Sequence, residues 1–152
     1  MGFKHHPFGN VVVNYWHGAV SLAEVQLSME KARLAHQMYG PLTGITILGR
    51  DLERPTMEIG GYMAANRMTM LSYHRSMHMV VPKGSPKAVG VSMYILTSLT
   101  LGTRHEIAQH PTVQVALEDA EKVRQKTMGL MGFTTPKADI LGQLERLKVP
   151  LT

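Results

Sequence analysis

Apolar and polar positions alternate along this chain in a rhythm that predicts strands and helices in turn. Runs rich in β-branched or apolar residues cover positions 11–16, 43–48 and 77–81, and a helical pattern of apolar positions follows each run. This order is typical of parallel sheets, whose strands need long crossover connections. The pattern predicts an α/β fold: a single domain with a four- to five-stranded, mostly parallel sheet and helices packed mainly on one face.

Each of the first three predicted helices begins after a residue that can cap it. Ser21 and Glu24 have the spacing of a capping box, in which each side chain accepts a hydrogen bond from the other residue's backbone N–H. Thr56 precedes the second helix. Ser85 precedes the third, where Pro86 occupies the first-turn position that tolerates proline. The third helix is apolar nearly all round, which predicts a place at the centre of the packing.

The C-terminal part of the chain predicts one more strand and two more helices. Positions 105–109 have the pattern of a strand at the sheet edge, and Thr112 caps a helix that ends at Gly129. A last helix begins at positions 135–136. We therefore predict an α/β domain over residues 1–130, followed by a helical extension, residues 131–152, that packs on the domain or on a second subunit.

The first helix has apolar positions on two sides, and the C-terminal helix carries an apolar stripe of its own. A helix with two apolar faces is either covered by another segment or used in a subunit contact. We therefore expect a protein partner, or a homodimer or higher oligomer. The candidate interface residues are Leu27, Leu34 and Met38 on the first helix, and Ile140, Leu144 and Leu147 on the last.

Composition and charge exclude several classes of function. The chain has no cysteine, which excludes disulfides, zinc–thiolate sites and a cysteine nucleophile. Its net charge is +5, but the basic residues are scattered among acids, so nucleic-acid binding is not expected. The first residues do not resemble a signal peptide, and no apolar run approaches the roughly 18 residues that span a bilayer. These features favour a cytoplasmic protein that does not bind a membrane.

Candidate chemistry is sparse. Methionine and histidine are frequent between positions 63 and 79, and both bind Cu(I), but we expect these methionines to fill the core and predict no metal site or cofactor. Lys83, Ser85 and Lys87 surround a helix start and form a candidate anion site, although Pro86 removes one backbone donor. The chain has no G-x-S-x-G, P-loop or H-E-x-x-H motif, so we predict no catalytic residues and no enzyme activity.

Over residues 10–122 the chain resembles the small STAS-like proteins of myxobacterial type, which are akin to the anti-sigma-factor-antagonist domain. The resemblance is carried by the order of elements, by the segments NVVVNYWHGAVS and ILTSLTL, and by the strand that ends at Gly84. It implies an α/β domain of four or five strands that acts by binding a partner protein or a second copy of itself, without catalysis.

The resemblance also implies a regulatory position. In the antagonist family, a serine at the start of the helix after a central strand is phosphorylated within an Asp-Ser motif. The matching position here is Thr56, which follows Arg54 and Pro55, so the Asp-Ser pair is absent. Two alternatives stay open. One is a small-molecule or anion-binding protein with its pocket near 49–56 and 84–87, at the carboxyl edge of the sheet. The other is an enzyme of unrecognised type.

Overall fold

The structure is a computed structural model that describes residues 2–100 and 107–151. No helix in these two segments has both the length and the apolar character needed to cross a membrane. The elements are β1 (Phe3–Phe8), β2 (Val11–Trp16), α1 (Leu22–Tyr39), β3 (Leu42–Leu48), α2 (Met57–Tyr73), β4 (His74–Val80), α3 (Pro86–Thr100), β5 (Ile107–His110), α4 (Val113–Lys122), a π-helical turn (Val123–Thr127) and α5 (Lys137–Arg146).

The five strands form one sheet in the order β1-β2-β3-β4-β5. The pair β1–β2 is antiparallel, and β2 to β5 are parallel. Since parallel connections are right-handed and each one here moves to the next strand in the same direction, α1, α2 and α3 all lie on one face of the sheet. The helices α4 and α5 pack on the opposite face. The predicted α/β fold with a mostly parallel sheet is confirmed.

The edge strand β1 was not predicted, because its sequence does not alternate cleanly and contains Pro7. Proline is tolerated at the edge of a sheet, where its missing N–H interrupts no ladder. β1 is held by Phe3, whose ring packs edge-on against Trp16 at 5.0 Å and whose backbone N–H donates to the Glu24 carboxylate at 2.9 Å. The strand therefore depends on tertiary contacts that its own pattern does not show.

The predicted caps are present at the helix starts. Ser21 and Glu24 form the capping box, with the Glu24 N–H donating to Ser21 Oγ at 3.2 Å. A capping side chain satisfies a backbone N–H that has no partner within the first turn. Thr56, Ser85 and Thr112 accept from the N–H groups of Ile59, Ala88 and Val115 at 3.3, 3.3 and 3.2 Å.

The prediction that α3 lies at the centre of the packing is wrong. Ala88, Val91 and Ile95 are buried against the sheet and α2, whereas Val89 and Met93 are exposed to 49% and 56%. Since successive crossovers step across the sheet, α3 covers its far edge and has a neighbouring helix on one side, α2. Its apolar outer side is consequently left uncovered by the described part of the chain.

The C-terminal segment packs on the domain itself. Ile140 and Leu144 are completely buried, in a core that they share with residues of β2, β3 and α4. Their prediction as candidate interface residues is therefore corrected: in this chain they belong to the core. Leu147, the residue that caps the C-terminal end of α5, is half-exposed. Residues 131–151 thus complete the second face of the sheet.

The predicted fifth strand is observed as β5, but its predicted start falls on His105 and Glu106, which lie outside the described residues. The strand Ile107–His110 pairs with β4 in parallel, with His78 opposite Ala108 and Val80 opposite His110. This register places the C-terminal ends of β4 and β5 side by side.

Candidate functional site

The N-terminal end of α2 is the first candidate site, because Thr56 caps the helix that follows the central strand of the sheet. Thr56 is exposed, and its hydroxyl oxygen accepts from the Ile59 N–H. Its carbonyl oxygen accepts from the hydroxyl of Tyr94 on α3 at 3.5 Å. The start of α2 is thereby tied to the middle of α3.

An open groove of about 520 Å³ runs along α3 beside this point; we call it the α3 groove. The Arg54 guanidinium lies 5.0 Å from the centre of the Tyr94 ring, a cation–π arrangement that holds the cation over the groove. Met93, which lines the groove, is 56% exposed, and Met57, the first residue of α2, is 91% exposed. The lining residues are Arg54, Pro86, Lys87, Gly90, Val91, Met93, Tyr94 and Thr97.

The groove joins the two segments that sequence analysis placed at the carboxyl edge of the sheet. Arg54 comes from the segment 49–56, and Pro86 and Lys87 come from the segment 84–87. One residue of the first segment and two of the second therefore line the same groove. The result is an open, cationic and partly apolar surface on the outside of the helices.

The candidate anion site at the start of α3 is not assembled as predicted. Ser85 is buried, and its hydroxyl oxygen accepts from the Ala88 N–H, so it acts as a helix cap. Lys83 and Lys87 are exposed on either side of it. Of these three residues, Lys87 is the one that lines the groove.

The close contact between α2 and α3 depends on Gly60. A Cβ at this position would overlap the Tyr94 hydroxyl and lie 2.8 Å from its Cζ atom, whereas a Cβ at Gly61 meets open space. We expect Gly60→Ala to lower the free energy of unfolding by about 1–3 kcal/mol, because the rigid Tyr94 ring must move. Gly61→Ala is the matched control and is expected to raise it by up to about 1 kcal/mol. Urea denaturation measures both, and equal effects would contradict the proposed contact.

The candidate interface residues of α1 are exposed, so the C-terminal segment does not cover them. Leu27, Leu34 and Met38 are exposed to 56%, 47% and 73%. The opposite side of α1 is buried through small residues, Ser28, Ala32 and Ala35, which let the helix approach the sheet closely. The two sides of α1 thus differ clearly in exposure, and the outer one is a second apolar surface of the molecule.

A third cluster, which sequence analysis missed, joins His78, His110 and Asp119. His78 Nδ1 lies 3.0 Å from His110 Nε2, and the two rings stack with their centres 5.2 Å apart. Asp119 Oδ2 lies 3.9 Å from the first of these atoms and 3.6 Å from the second. The pKa of His78 is lowered to about 4, mainly because the ring is buried and secondly because His110 is close to it. Asp119 has the opposite effect and raises this pKa. The His78 imidazole is therefore neutral at pH 7.

A small internal cavity of about 50 Å³ lies between the sheet and helices α1–α3. Pockets that hold organic ligands have roughly 300–1,000 Å³, so this one is the size for a few water molecules. Its walls include Met63, Met70 and Met77 of the Met/His-rich segment. The expected core role is confirmed for Met63, which is buried, but is wrong for Met68, which is 61% exposed.

No protein-family model, curated protein or solved structure matches this chain. A function must therefore be inferred from the groove, the exposed surfaces and the histidine cluster themselves.

Proposed function

We propose that this protein is a STAS-like interaction module that binds a partner protein at the α3 groove. The observation that carries the proposal is the groove itself, which is lined by the exposed Met93 together with two cations, Arg54 and Lys87. Exposed apolar side chains that are grouped and rimmed by polar groups mark interaction sites. Catalysis has no part in this proposal.

The topology supports the STAS-like part of the proposal. The sheet runs β1-β2-β3-β4-β5, so β3 is the central strand, and α1, α2 and α3 share one face. Thr56 caps the helix that follows β3, which is the position that the resemblance gives to the regulatory residue. A phosphate there would lie at a helix N-terminus, where negative charge is stabilised.

The charge of the groove specifies the partner. Arg54 and Lys87 flank an apolar surface, and complementary charges across an interface steer association and fix its register. The partner is therefore a protein surface with acidic side chains around an apolar anchor. Phosphorylation of Thr56 would place negative charge two residues from Arg54 and would weaken the binding of such a surface.

The proposal is tested by crosslinking followed by affinity measurement. A photo-reactive amino acid at position 57 of the full chain captures the partner from an extract of the native source, and the partner is then purified. We expect Met93→Asp, Arg54→Glu and Thr56→Glu each to weaken its binding by roughly 10-fold or more in calorimetry.

Met38→Asp on α1 is the matched control, because Met38 is also an exposed methionine on a helix. It is expected to leave the affinity within about twofold. Loss of binding in Met38→Asp alone would move the interface to α1. If the crosslinks join two copies of this chain and the native mass is doubled, the protein associates with itself and the proposal of a separate partner is wrong. If a small anion alone is captured, the ligand-binding alternative is favoured.

A further inference from the structure

The register of the sheet brings His78 and His110 together at the carboxyl ends of β4 and β5. His78 pairs with Ala108, so His110, two residues further on, lies diagonally opposite His78 on the same face. α4 crosses that face and supplies Asp119 from its second turn. Three groups from three separate elements therefore converge at an edge of the sheet where α/β proteins bind ligands.

The distances among the three groups match those around a single metal ion. The three atoms are 3.0, 3.6 and 3.9 Å apart. A circle through atoms at these separations has a radius of about 2.1 Å, which falls within the roughly 2.0–2.2 Å at which imidazole nitrogen and carboxylate oxygen bind Zn²⁺. One ion near the plane of the three atoms would thus lie within bonding distance of all of them.

Hydrogen bonding alone does not explain the arrangement. A proton between the two imidazole nitrogens accounts for their separation of 3.0 Å. The Asp119 oxygen, however, is 3.6 and 3.9 Å from those nitrogens, beyond the roughly 2.7–3.2 Å of a hydrogen bond. The carboxylate faces both nitrogens at a distance suited to a shared ligand.

The surroundings supply what a metal site needs beyond its ligands. Ser76 Oγ lies 3.3 Å from His78 Nε2 and can accept its proton, which leaves Nδ1 as the coordinating atom. Outer contacts of this kind orient ligating histidines. The Asp119 side chain is 46% exposed, while that of His78 is only 3% exposed. The site is therefore rigid on its inner side and open to water on its outer side.

We propose that His78 Nδ1, His110 Nε2 and Asp119 Oδ2 form a binding site for a divalent transition-metal ion of the zinc class. Two imidazoles and one carboxylate suit Zn²⁺, Co²⁺, Ni²⁺ or Cu²⁺, whereas Ca²⁺ and Mg²⁺ prefer oxygen ligands. The ion keeps a position on the solvent side for water or an added anion. A bound ion joins β4, β5 and α4. The metal site does not depend on the proposed binding of a partner protein.

The test uses the full-length protein, stripped of metal with a chelator, and Zn²⁺ as the probe. We expect calorimetry and elemental analysis to show one ion per chain, and the melting temperature to rise with Zn²⁺. NMR of the histidine side chains is expected to identify Nδ1 of His78 and Nε2 of His110 as ligands. Ser76→Ala is expected to weaken binding by about 10-fold, and Asp119→Asn and His110→Gln by more.

Glu118→Gln is the matched control, because Glu118 is an exposed acid next to Asp119 on the same helix. It is expected to leave Zn²⁺ binding unchanged. Circular dichroism of each variant distinguishes a lost ligand from a lost fold, and Asp119→Asn changes a partly exposed side chain that the core does not need. One bound ion that survives both Asp119→Asn and His110→Gln, or no binding in the micromolar range, would overturn the proposal.

Discussion

A chain that ends at residue 130 is expected to lose its cooperative fold. Truncation removes Ile140, Leu144 and Val149, whose side chains are exposed to 4% or less and fill the core over the second face of the sheet. Burial of three such side chains contributes roughly 5–8 kcal/mol. That is comparable with the whole stability of a domain, about 5–15 kcal/mol.

Polar groups are lost from the truncated chain as well. Asn10 is completely buried, and its side chain donates to the Gly132 carbonyl at 3.0 Å and accepts from the Thr134 N–H at 3.0 Å. The backbone N–H of Asn10 also donates to Thr134 Oγ1. Without residues 131–151 these groups between β1 and β2 lose their partners, each at a cost of about 1–3 kcal/mol where it stays buried.

The loss of cooperative folding is measured by urea denaturation, monitored through the near-ultraviolet circular dichroism of Trp16, the single tryptophan. The expected result is a non-cooperative transition and a weak Trp16 signal in the truncated chain. Leu147→Asp in the full chain is the control, because this half-exposed side chain is expected to cost about 1 kcal/mol or less. A sharp transition in the truncated chain, with stability close to that of the full chain, would restore the domain boundary at residue 130 predicted from the sequence.

Arg124→Met is expected to lower the free energy of unfolding by about 2–4 kcal/mol. Arg124 is only 1% exposed, although arginine is seldom buried. Its Nη1 donates to the Pro41 carbonyl at 2.8 Å and to Thr43 Oγ1 at 3.2 Å, and its Nε donates to the Met131 carbonyl at 3.0 Å. Burial lowers its pKa from the ordinary value. Methionine preserves much of the volume but leaves these acceptors without donors.

Arg124→Lys separates the geometry of the group from its charge. A lysine ammonium is a point donor and cannot reproduce the planar fork of the guanidinium, so we expect most of the loss to remain. Arg146→Met is the matched control on an exposed arginine, with an expected change within about 0.5 kcal/mol. Thermal and urea denaturation of all three variants measure the differences. Full stability in Arg124→Lys would show that charge alone is sufficient at this position.

The helix starts were predictable because a cap is a local structure. Ser21, Thr56, Ser85 and Thr112 each lie within three residues of the N–H that they accept, so the sequence contains both partners. The strands β2, β3 and β4 were predictable for a similar reason, since β-branched and apolar runs favour them. β1 lacks such a run, and its stability comes from contacts with Trp16 and Glu24 further along the chain.

The groove was predictable in part. Its two contributing segments were expected at the same edge of the sheet, because the carboxyl ends of parallel strands lie side by side. The sequence could not predict that Tyr94 would pack against Gly60 and hold Arg54, since these three residues belong to different elements. The exposure of Met93 depends in turn on the position of α3 over the edge of the sheet.

By itself the sequence determined the α/β class, the parallel core strands and the caps, because these depend on residues close together in the chain. Only the tertiary structure decided that Ile140 and Leu144 are core residues, that Arg124 is buried, and that His78 and His110 meet Asp119. The two histidines are 32 residues apart and come together through strand register. Register and helix placement result from the packing of the whole domain, so no local pattern contains them.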